Sequence, residues 1–431
     1  MKLATPFPSV SGVLRNILKT RIGLRSSILN SSTRRATVLT FAYVATTSVF
    51  VVVFIFLKGI LRPDTLQSAL GYIFISSLAA GIEPGTAKAQ LLRTSSGGNL
   101  FRFASPWLFI GSAGKAVLLS PLLIVVWLLT DAGELSTLSI VMWSPAVVAI
   151  GFMSSDLRVA FDANGRYASA IWLKQGSLSI GLLTLTLAIA SRLSIQVALA
   201  ISLLVRLFWL GIFVVRGGQY LERTPLKREA VLSEGMDRRW IDLALTSAIG
   251  AVGGSLDRII AFRYLDASVA NGYYIIYELL SKFWLIPYLF IPIVFAKRAR
   301  NPDQSQFVRV AVAWIMGLGI IFVAAVALMA TFLPRLIEYV TNGGASNAGV
   351  TLLAVAIVLI SLSMVLNADL QGMDRTRAVA TISFLGVIVS AIAFYALTSY
   401  AALEGLCLAW LLKGALELAM ILVFIFYLRQ K

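Results

Sequence analysis

Apolar residues occur in twelve long stretches along this chain, separated by short polar segments. A helix needs roughly 17–25 predominantly apolar residues to cross a bilayer, and each stretch is of about that length. The pattern therefore predicts an all-α polytopic membrane protein with 12 transmembrane helices. The predicted spans are Val38–Leu57, Leu66–Ile82, Trp107–Thr130, Leu135–Met153, Tyr167–Ala190, Ile195–Val215, Trp240–Phe262, Val269–Phe295, Val308–Phe332, Ala348–Asn367, Ala378–Leu397 and Leu403–Leu428.

The Lys and Arg residues between the spans fall mainly on alternate segments. Of the 37 Lys and Arg residues in the chain, 26 lie in or at the edges of the segments on one side of the predicted membrane, which include both termini. Five lie in the loops on the other side, and the remaining six lie inside the predicted spans. Because positively charged loops stay in the cytoplasm, both termini are expected to be cytoplasmic. The formal net charge of +17 comes mainly from these basic loops, which can contact anionic membrane lipids. The charge therefore does not require nucleic acid as a partner.

Composition narrows the functional classes. The chain is 58% hydrophobic and 13% charged, and it contains one Cys and no His. These counts exclude an internal disulfide and argue against a zinc or haem site, so no metal or other cofactor is expected. The loops are too short to fold as separate domains, and no nucleophile–base pair or phosphate-binding loop stands out. We therefore expect the helix bundle itself to carry the function of the protein, and we do not expect the protein to be an enzyme.

Three sequence similarities relate the two halves of the chain at offsets of 201 to 209 residues. Because an even number of spans returns the chain to its starting side, they predict two six-helix bundles related by a parallel pseudo-twofold repeat. Such repeats are an architecture of secondary transporters, which bind substrate between their halves. The matched pairs are Gly71–Ile75 with Gly272–Ile276, Phe161–Arg166 with Leu370–Arg375, and Arg206 with Lys413.

The repeat divides the chain into four predicted regions. A basic amphipathic cytoplasmic tail, 1–37, precedes an N-terminal six-helix bundle, 38–215, and a cytoplasmic linker, 216–239, leads to a C-terminal six-helix bundle, 240–428. The tail contains seven Lys and Arg and no acid, so it is expected to lie on the cytoplasmic leaflet. The same composition is also typical of an organellar transit peptide, which is the alternative.

Eleven ionisable residues fall inside or at the edges of the predicted spans. Insertion scales put the cost of each at roughly 2.5–3.5 kcal/mol or more, so each is a candidate for function in the bundle interior. The alternatives are structural: an ion pair, a cap, or a side chain that reaches the membrane surface. The cations, candidates for substrate binding, are Lys115, Lys174, Arg206, Arg258, Lys282 and Lys413; the acids are Glu83, Asp242, Asp257, Glu278 and Glu417.

The eighth span has the clearest polar face. Polar residues recur there every three or four positions, which places them on one side of a helix. Because a polar face directed at acyl chains would be too costly, we expect it to line a cavity; alternatively, Glu278 and Lys282 pair only to join helices. The lining candidates are Asn271, Tyr274, Tyr277, Glu278 and Ser281, and the candidates for coupling to a driving ion are Glu83, Asp257, Glu278 and Glu417.

Several motifs accompany this architecture: LDRII at Leu256–Ile260, NGYY at Asn271–Tyr274, and the turns Gly165-Arg166 and Asp374-Arg375. With them, the chain over about residues 36–428 resembles the polysaccharide-exporter branch of the multidrug/oligosaccharidyl-lipid/polysaccharide (MOP) superfamily. Within that branch it looks most like the flippases that move undecaprenyl-diphosphate-linked O-antigen or exopolysaccharide repeat units.

The resemblance implies two bundles around a central cationic cavity that works by alternating access in the bacterial cytoplasmic (inner) membrane. Carried over residue by residue, it assigns Asp257, Arg258 and Lys282 to the cavity. The implied substrate is a lipid-linked oligosaccharide for lipopolysaccharide O-antigen or exopolysaccharide, and the implied partners are a polysaccharide polymerase and a chain-length regulator. The chain departs from the family pattern in its long basic tail and in a first span with few charges. Which helix binds the diphosphate is therefore left open.

Three other functions fit parts of the pattern. The nearest is a cation-coupled multidrug exporter of the same superfamily, which would favour an acidic cavity, whereas the residues at membrane depth here are six basic to five acidic. A membrane glycosyltransferase or polysaccharide polymerase would be expected to carry a large external loop or an acidic metal motif. A non-transporting lipid scaffold would not need ionisable residues at membrane depth in both halves.

Overall fold

In a computed structural model, residues 56–81, 137–164, 166–218, 238–300, 305–341 and 346–430 are described, together with isolated positions within 49–53 and 117–128. Every regular element in these ranges is helical. The helices are α1 (Pro63–Gly81), α2 (Thr137–Ala163), α3 (Tyr167–Ile171, a π turn at Trp172–Gly176, then Ser177–Ala190), α4 (Ile195–Gly217), α5 (Arg238–Gly253), α6 (Leu256–Tyr264), α7 (Ala267–Ser281), α8 (Leu285–Arg300), α9 (Gln306–Phe332), α10 (Pro334–Thr341), α11 (Asn347–Gly372) and α12 (Thr376–Gln430).

Eight helical segments in the described ranges are long and apolar enough to cross a membrane, which agrees with the predicted all-α polytopic architecture. The longest, α12, bends where Ala401 and Ala402 leave helical geometry, with φ of −131° and 44°. The bend falls between the two last predicted spans, so α12 accounts for both. The count of twelve spans and the cytoplasmic placement of the termini stay predictions, because much of the first and third spans lies outside the described ranges.

Two helices extend beyond their predicted ends. α2 continues to Ala163 and α11 to Gly372, past the ends predicted at Met153 and Asn367. The apolar pattern stops at the earlier residues because polar and charged side chains follow. Helical hydrogen bonding does not depend on hydropathy, so the helices continue into segments that hydropathy assigns to loops.

The turns after α2 and α11 have the same backbone closure. The Arg166 N–H donates to the Phe161 carbonyl at 2.8 Å, and the Arg375 N–H donates to the Leu370 carbonyl at 2.9 Å. These four residues are the ends of one of the matched sequence pairs, so that similarity corresponds to a shared local structure. A six-to-one bond of this kind closes many helix C-termini.

The helices pack as two sets that meet along a few contacts. In the first set, α3 packs on α4, and α2 packs on α1 and α4. In the second set, α11 contacts α8, α9 and α12, and α5 contacts α12. Between the sets, α1 touches α5 and α7, and α2 touches α8. The division into two six-helix bundles joined by a linker stays a prediction, because residues 219–237 lie outside the described ranges.

The seventh and eighth predicted spans are each interrupted, which the apolar pattern did not predict. The seventh consists of α5 and α6, and the chain leaves helical geometry between them at Gly254-Ser255. Gly253, at the end of α5, lies against Val387 of α12, where a Cβ would collide with that side chain. The eighth consists of α7 and α8, joined by a 3₁₀ turn at Lys282–Trp284. Both interruptions lie at the cavity described below.

A buried ion pair joins α8 to α11. Arg298 donates through Nε to Asp369 Oδ1 and through Nη2 to Asp369 Oδ2, and both side chains are at most 10% exposed. Gly372, one turn further along α11, lies so close to α8 that an added Cβ would come within 2.6 Å of Arg298 Cβ. The pair and the glycine together hold the two helices in close contact.

Candidate functional site

A cavity of about 440 Å³ lies between the two sets of helices. Its walls come from α1, α2 and α3 on one side and from α5 to α8, α11 and α12 on the other. The lining residues of α1, α2 and α11 belong to the C-terminal halves of these helices, and those of α3 belong to its N-terminal half. The cavity therefore lies toward one end of the bundle, which is the end that the charge pattern predicts to be cytoplasmic.

The charged residues on the cavity wall are mainly basic. Glu278 bonds to Lys282, with 2.9 Å between Oε2 and Nζ, so this acid is largely neutralised by its own helix. Of the predicted cations, Lys174, Arg258, Lys282 and Lys413 reach the cavity. In the described part of the chain, the charged lining residues are Arg158, Lys174, Arg258, Lys282, Lys413, Glu278 and Glu417.

Arg158 is a lining cation that the sequence reasoning missed. It was assigned to a cytoplasmic loop, because the fourth span was predicted to end at Met153. Helical continuation to Ala163 instead places it on the cavity wall. The signal that could have found it is the similarity of residues 161–166 to 370–375, which places the turn after residue 160 in the first half and after residue 369 in the second.

Two of the cations bind the carbonyl groups at the interruption between α5 and α6. Lys413 Nζ donates to the Gly253 carbonyl at 2.7 Å, and Arg258 Nη2 donates to the Gly254 carbonyl. The last carbonyls of a helix lack partners within that helix, and cations can satisfy them. Arg258 also lies 3.2 Å from Ser255 Oγ. These hydrogen-bond partners are neutral and do not cancel the positive charges; the acids nearest to the two cations are Asp257 for Arg258 and Glu417 for Lys413.

Aromatic rings surround the same cations. The Arg258 guanidinium lies 4.3 Å from the ring centroid of Tyr277 and 5.1 Å from that of Phe74, and Lys413 Nζ lies 4.6 Å from that of Trp410. The Tyr277 and Trp410 rings are themselves 5.5 Å apart. Cation–π contacts of this geometry hold a cation in place while leaving its charge intact. Phe74 belongs to the opposite set of helices, so the Arg258 contact spans the cavity.

Asp257 lies behind the cavity wall. It is fully buried, accepts a hydrogen bond from the Tyr273 hydroxyl at 2.5 Å, and lies 3.8 Å from Arg258 Nε. Trp410 Nε1 donates to the same Tyr273 hydroxyl at 2.9 Å, which links the buried carboxylate to the lining. The resemblance placed Asp257 in the cavity; the structure corrects this to an indirect connection. Its role in ion coupling stays a prediction.

The polar face of α7 reaches the cavity only in part. Tyr277, Glu278 and Ser281 line it. Asn271 and Tyr274, also predicted to line it, are buried away from it, and the Tyr274 ring packs 5.9 Å from that of Phe262. The cavity borders only the C-terminal end of α7. The polar face continues toward the N-terminal end of this helix, where neighbouring helices cover it.

Arg206 is the main correction to the predicted site. It is 2% exposed and lies between α1, α3 and α4, away from the cavity lining. It donates to Ser76 Oγ at 2.8 Å, to the Tyr72 hydroxyl at 3.3 Å and to Ser177 Oγ at 3.5 Å. An added Cβ at Gly181 would come within 2.7 Å of its Cδ. The polar residues of the second span thus solvate this Arg, and it joins helices.

Replacing Arg206 with Ala should therefore destabilise the fold. We expect the free energy of unfolding to fall by about 3 kcal/mol, because a buried side chain is lost and the hydroxyl groups lose their donor. A denaturant titration in detergent micelles measures this, with Arg216→Ala, an exposed change on the same helix, as the control. Unchanged stability would contradict this structural role of Arg206.

Three further candidates have different outcomes. Glu417 lines the cavity one turn from Lys413, and the two interact electrostatically, although Lys413 hydrogen-bonds to the Gly253 carbonyl. Glu83 and Lys115 lie outside the described residues, so their predicted roles in ion coupling and substrate binding stay predictions.

The fold is similar to those of solved transporters. A mutant of the MATE transporter VcmN from Vibrio cholerae matches with a TM-score of 0.71 at 14% identity, over 94% of this chain and 98% of that one. The lipid II flippase MurJ, in an inward closed conformation, matches with 0.57 at 12%, over 90% and 87%. A MOP superfamily transporter from Pyrococcus furiosus, whose binding pocket of reverse polarity suggests a different function, matches with 0.57 at 13%, over 91% and 93%.

No protein-family model matches the sequence, and no curated protein is significantly similar to it. At 12–14% identity, the structural matches concern the arrangement of the helices and leave substrate undetermined. They extend over nearly the whole of both chains in each comparison. The chain therefore has the fold of the MOP superfamily transporters, a group whose solved members include MATE transporters and a lipid flippase.

Proposed function

We propose that this chain is a flippase that moves undecaprenyl-diphosphate-linked oligosaccharide repeat units across the bacterial cytoplasmic membrane, for O-antigen or exopolysaccharide export. The observation that carries the proposal is the basic wall of the cavity, where Arg258 and Lys413 hydrogen-bond to backbone carbonyl groups and lie against aromatic rings. A polysaccharide polymerase and a chain-length regulator would act on the product, as the family resemblance implies.

A diphosphate headgroup is the ligand that such a wall favours. Moving its charges into the low dielectric of a membrane requires that donors replace the lost water. Arg and Lys make charge-assisted hydrogen bonds to phosphate oxygens that are about twice as strong as neutral ones. The acceptors that Arg258 and Lys413 hydrogen-bond are neutral carbonyl groups, which a diphosphate can displace. The neighbouring Tyr277 and Trp410 rings supply faces for sugar rings.

The position of the cavity supports capture from the cytoplasmic side. The opposite end of the bundle is covered by α10, which packs on α7 with Ile337 buried. Lys58, near the outer end of the first span, donates to the Tyr339 carbonyl and lies 4.5 Å from the ring centroid of Tyr339. The Lys58 contact joins the end of the first predicted span to α10 at the predicted outer face. A substrate would thus enter from the inner leaflet before alternating access exposes it outside.

A cation-coupled multidrug exporter is the second candidate. The lining acids Glu278 and Glu417 favour it, since a cationic drug requires an acidic partner, and MATE transporters are among the structural matches. Glu278 is already paired with Lys282, which leaves Glu417 as the acid that such a drug would use.

The two candidates make opposite predictions for two residues one turn apart on α12. In proteoliposomes, a flippase should move the lipid-linked oligosaccharide, Lys413→Gln should slow movement about tenfold through loss of a charge-assisted contact, and Glu417→Gln should leave it within twofold. Transbilayer movement of fluorescent lipid-linked oligosaccharide and uptake of tetraphenylphosphonium measure the two activities. Uptake of tetraphenylphosphonium that Glu417→Gln abolishes, with no lipid movement by the wild type, would establish the exporter instead.

A further inference from the structure

The cavity has a second group of cations on the wall opposite Arg258 and Lys413. Arg158 on α2 and Lys174 on α3 both line it, and both belong to the first set of helices. Arg158 lies five residues before the end of α2, and Lys174 lies seven residues after the start of α3. At a rise of about 1.5 Å per residue, both side chains start within roughly 10 Å of the helix ends at the predicted cytoplasmic face.

Lys174 is held by an irregular piece of helix. It lies in the π turn Trp172–Gly176, which is a rare geometry that often occurs at functional sites. Trp209 of α4 supports the turn: its Nε1 donates to the Trp172 carbonyl at 3.0 Å, and Gly176 lies so close that a Cβ would come within 2.8 Å of the Trp209 ring. The altered register directs two consecutive side chains, Lys174 and Gln175, to the cavity.

Elements from both sets of helices meet at this position. α2 contacts the π turn, and it also contacts α8 of the second set. Tyr288 of α8 faces Lys174 across the cavity, with 5.5 Å between Nζ and the ring centroid. Gln371 of α11 also lines the cavity and adds a neutral donor. At this position the cavity is thus lined by basic side chains of the first set of helices and by an aromatic ring and an amide of the second set.

Resting on the proposed flippase function, we propose that Arg158 and Lys174, opposite Tyr288, form a second anion subsite at the cytoplasmic mouth of the cavity. This subsite takes the diphosphate of an entering lipid before it reaches Arg258 and Lys413. Cations that line a low-dielectric cleft focus the electric field and raise the rate at which anions arrive. The two subsites lie on opposite sets of helices, so the headgroup passes from the first set to the second as it enters.

The rate of association separates the two subsites. We would measure stopped-flow binding of undecaprenyl diphosphate to the full chain in nanodiscs of neutral phosphatidylcholine, using tryptophan fluorescence. The double variant Arg158→Gln/Lys174→Gln should associate about tenfold more slowly and with a weaker salt dependence, while its dissociation rate stays near that of the wild type. The variant Arg158→Lys/Lys174→Arg should restore most of the rate.

A matched control removes the same charge elsewhere. Lys297 and Arg309 are exposed cations near the same end of the bundle and do not line the cavity, so Lys297→Gln/Arg309→Gln should keep an association rate within twofold of the wild type. An unchanged rate for Arg158→Gln/Lys174→Gln, with wild-type binding intact, would overturn the subsite and leave the flippase proposal standing. Absence of binding by the wild type would overturn both.

Inorganic pyrophosphate distinguishes a lipid headgroup from a free anion. If the subsite serves the lipid, saturating pyrophosphate should slow lipid association with the wild type by a larger factor than with the double variant, in which only the Arg258 and Lys413 site is left to compete for it. Pyrophosphate binding that requires Arg158 and Lys174 but has no effect on lipid association would assign the subsite to a free anion, against the proposal.

Discussion

Replacing Arg258 with Gln should weaken the binding of undecaprenyl diphosphate by about 100-fold. Arg258 is 8% exposed, and its guanidinium lies between the rings of Tyr277 and Phe74 at the cavity wall, where water competes little for a phosphate oxygen. Loss of a charge-assisted contact in such a place is worth about 3 kcal/mol, which corresponds to that factor. Equilibrium binding to the purified protein in nanodiscs measures the change.

Arg263→Gln is the matched control, because Arg263 lies on the same short helix and is exposed. It should bind within twofold of the wild type. Arg258→Lys should retain part of the affinity, since it keeps the charge but loses the planar fork of donors. Loss of Arg258 also leaves the carboxylate of Asp257 buried without its neighbouring charge, so a folded control is needed. Asp257→Asn/Arg258→Gln removes both charges, and its failure to bind should match that of Arg258→Gln.

Binding by a folded Arg258→Gln protein within threefold of the wild type would contradict the basic cavity as the substrate site. In that case, the excess of cations on the wall would serve only to hold helix ends and rings. The same result would favour the exporter, for which Glu417 is the relevant group.

Replacing Asp369 with Ala should lower the free energy of unfolding by about 3–5 kcal/mol. The change removes the carboxylate that the buried Arg298 guanidinium contacts between α8 and α11, and breaking a buried ion pair from one side typically has this effect. Denaturant titration in detergent micelles measures it, with tryptophan fluorescence as the signal.

The double variant Asp369→Ala/Arg298→Met tests the cause. Removing both charges avoids a buried guanidinium that has lost its carboxylate, so it should recover most of the lost stability. A double variant as unstable as Asp369→Ala would show that packing around Gly372, rather than the charge, determines the close approach of the two helices.

Arg206 and Lys413 show how much of a binding site can be predicted from the sequence. Both are cations near the middle of the last helix of their half, and their spacing matches the repeat. Yet Lys413 lines the cavity, while Arg206 is enclosed by Tyr72, Ser76 and Ser177. The sequence around each residue does not distinguish a lining cation from an enclosed one. The residues that enclose Arg206 come from a helix more than a hundred residues away and from the neighbouring helix.

Arg158 and the interruption between α5 and α6 were missed for a different reason. Hydropathy reports where a chain prefers lipid, not where its helical hydrogen bonds end. A charged residue beyond the apolar stretch was therefore assigned to a loop, and Gly253-Gly254 was included in an uninterrupted span. The close contact of Gly253 with Val387 and the hydrogen bond from Lys413 to the Gly253 carbonyl accompany the interruption, and both depend on α12.

By itself, the sequence determined that this is a helical protein of many membrane spans, with a polar face on α7 and ionisable residues at membrane depth. These features can be read from the sequence because the bilayer requires each span to form its backbone hydrogen bonds within its own helix and to match the thickness of the apolar core. Both requirements act on consecutive residues. The tertiary structure alone decided that Arg158, Lys174, Arg258, Lys282 and Lys413 share one cavity and that Arg206 does not. The direction a side chain faces depends on how distant helices pack, and apolar patterning leaves that packing open.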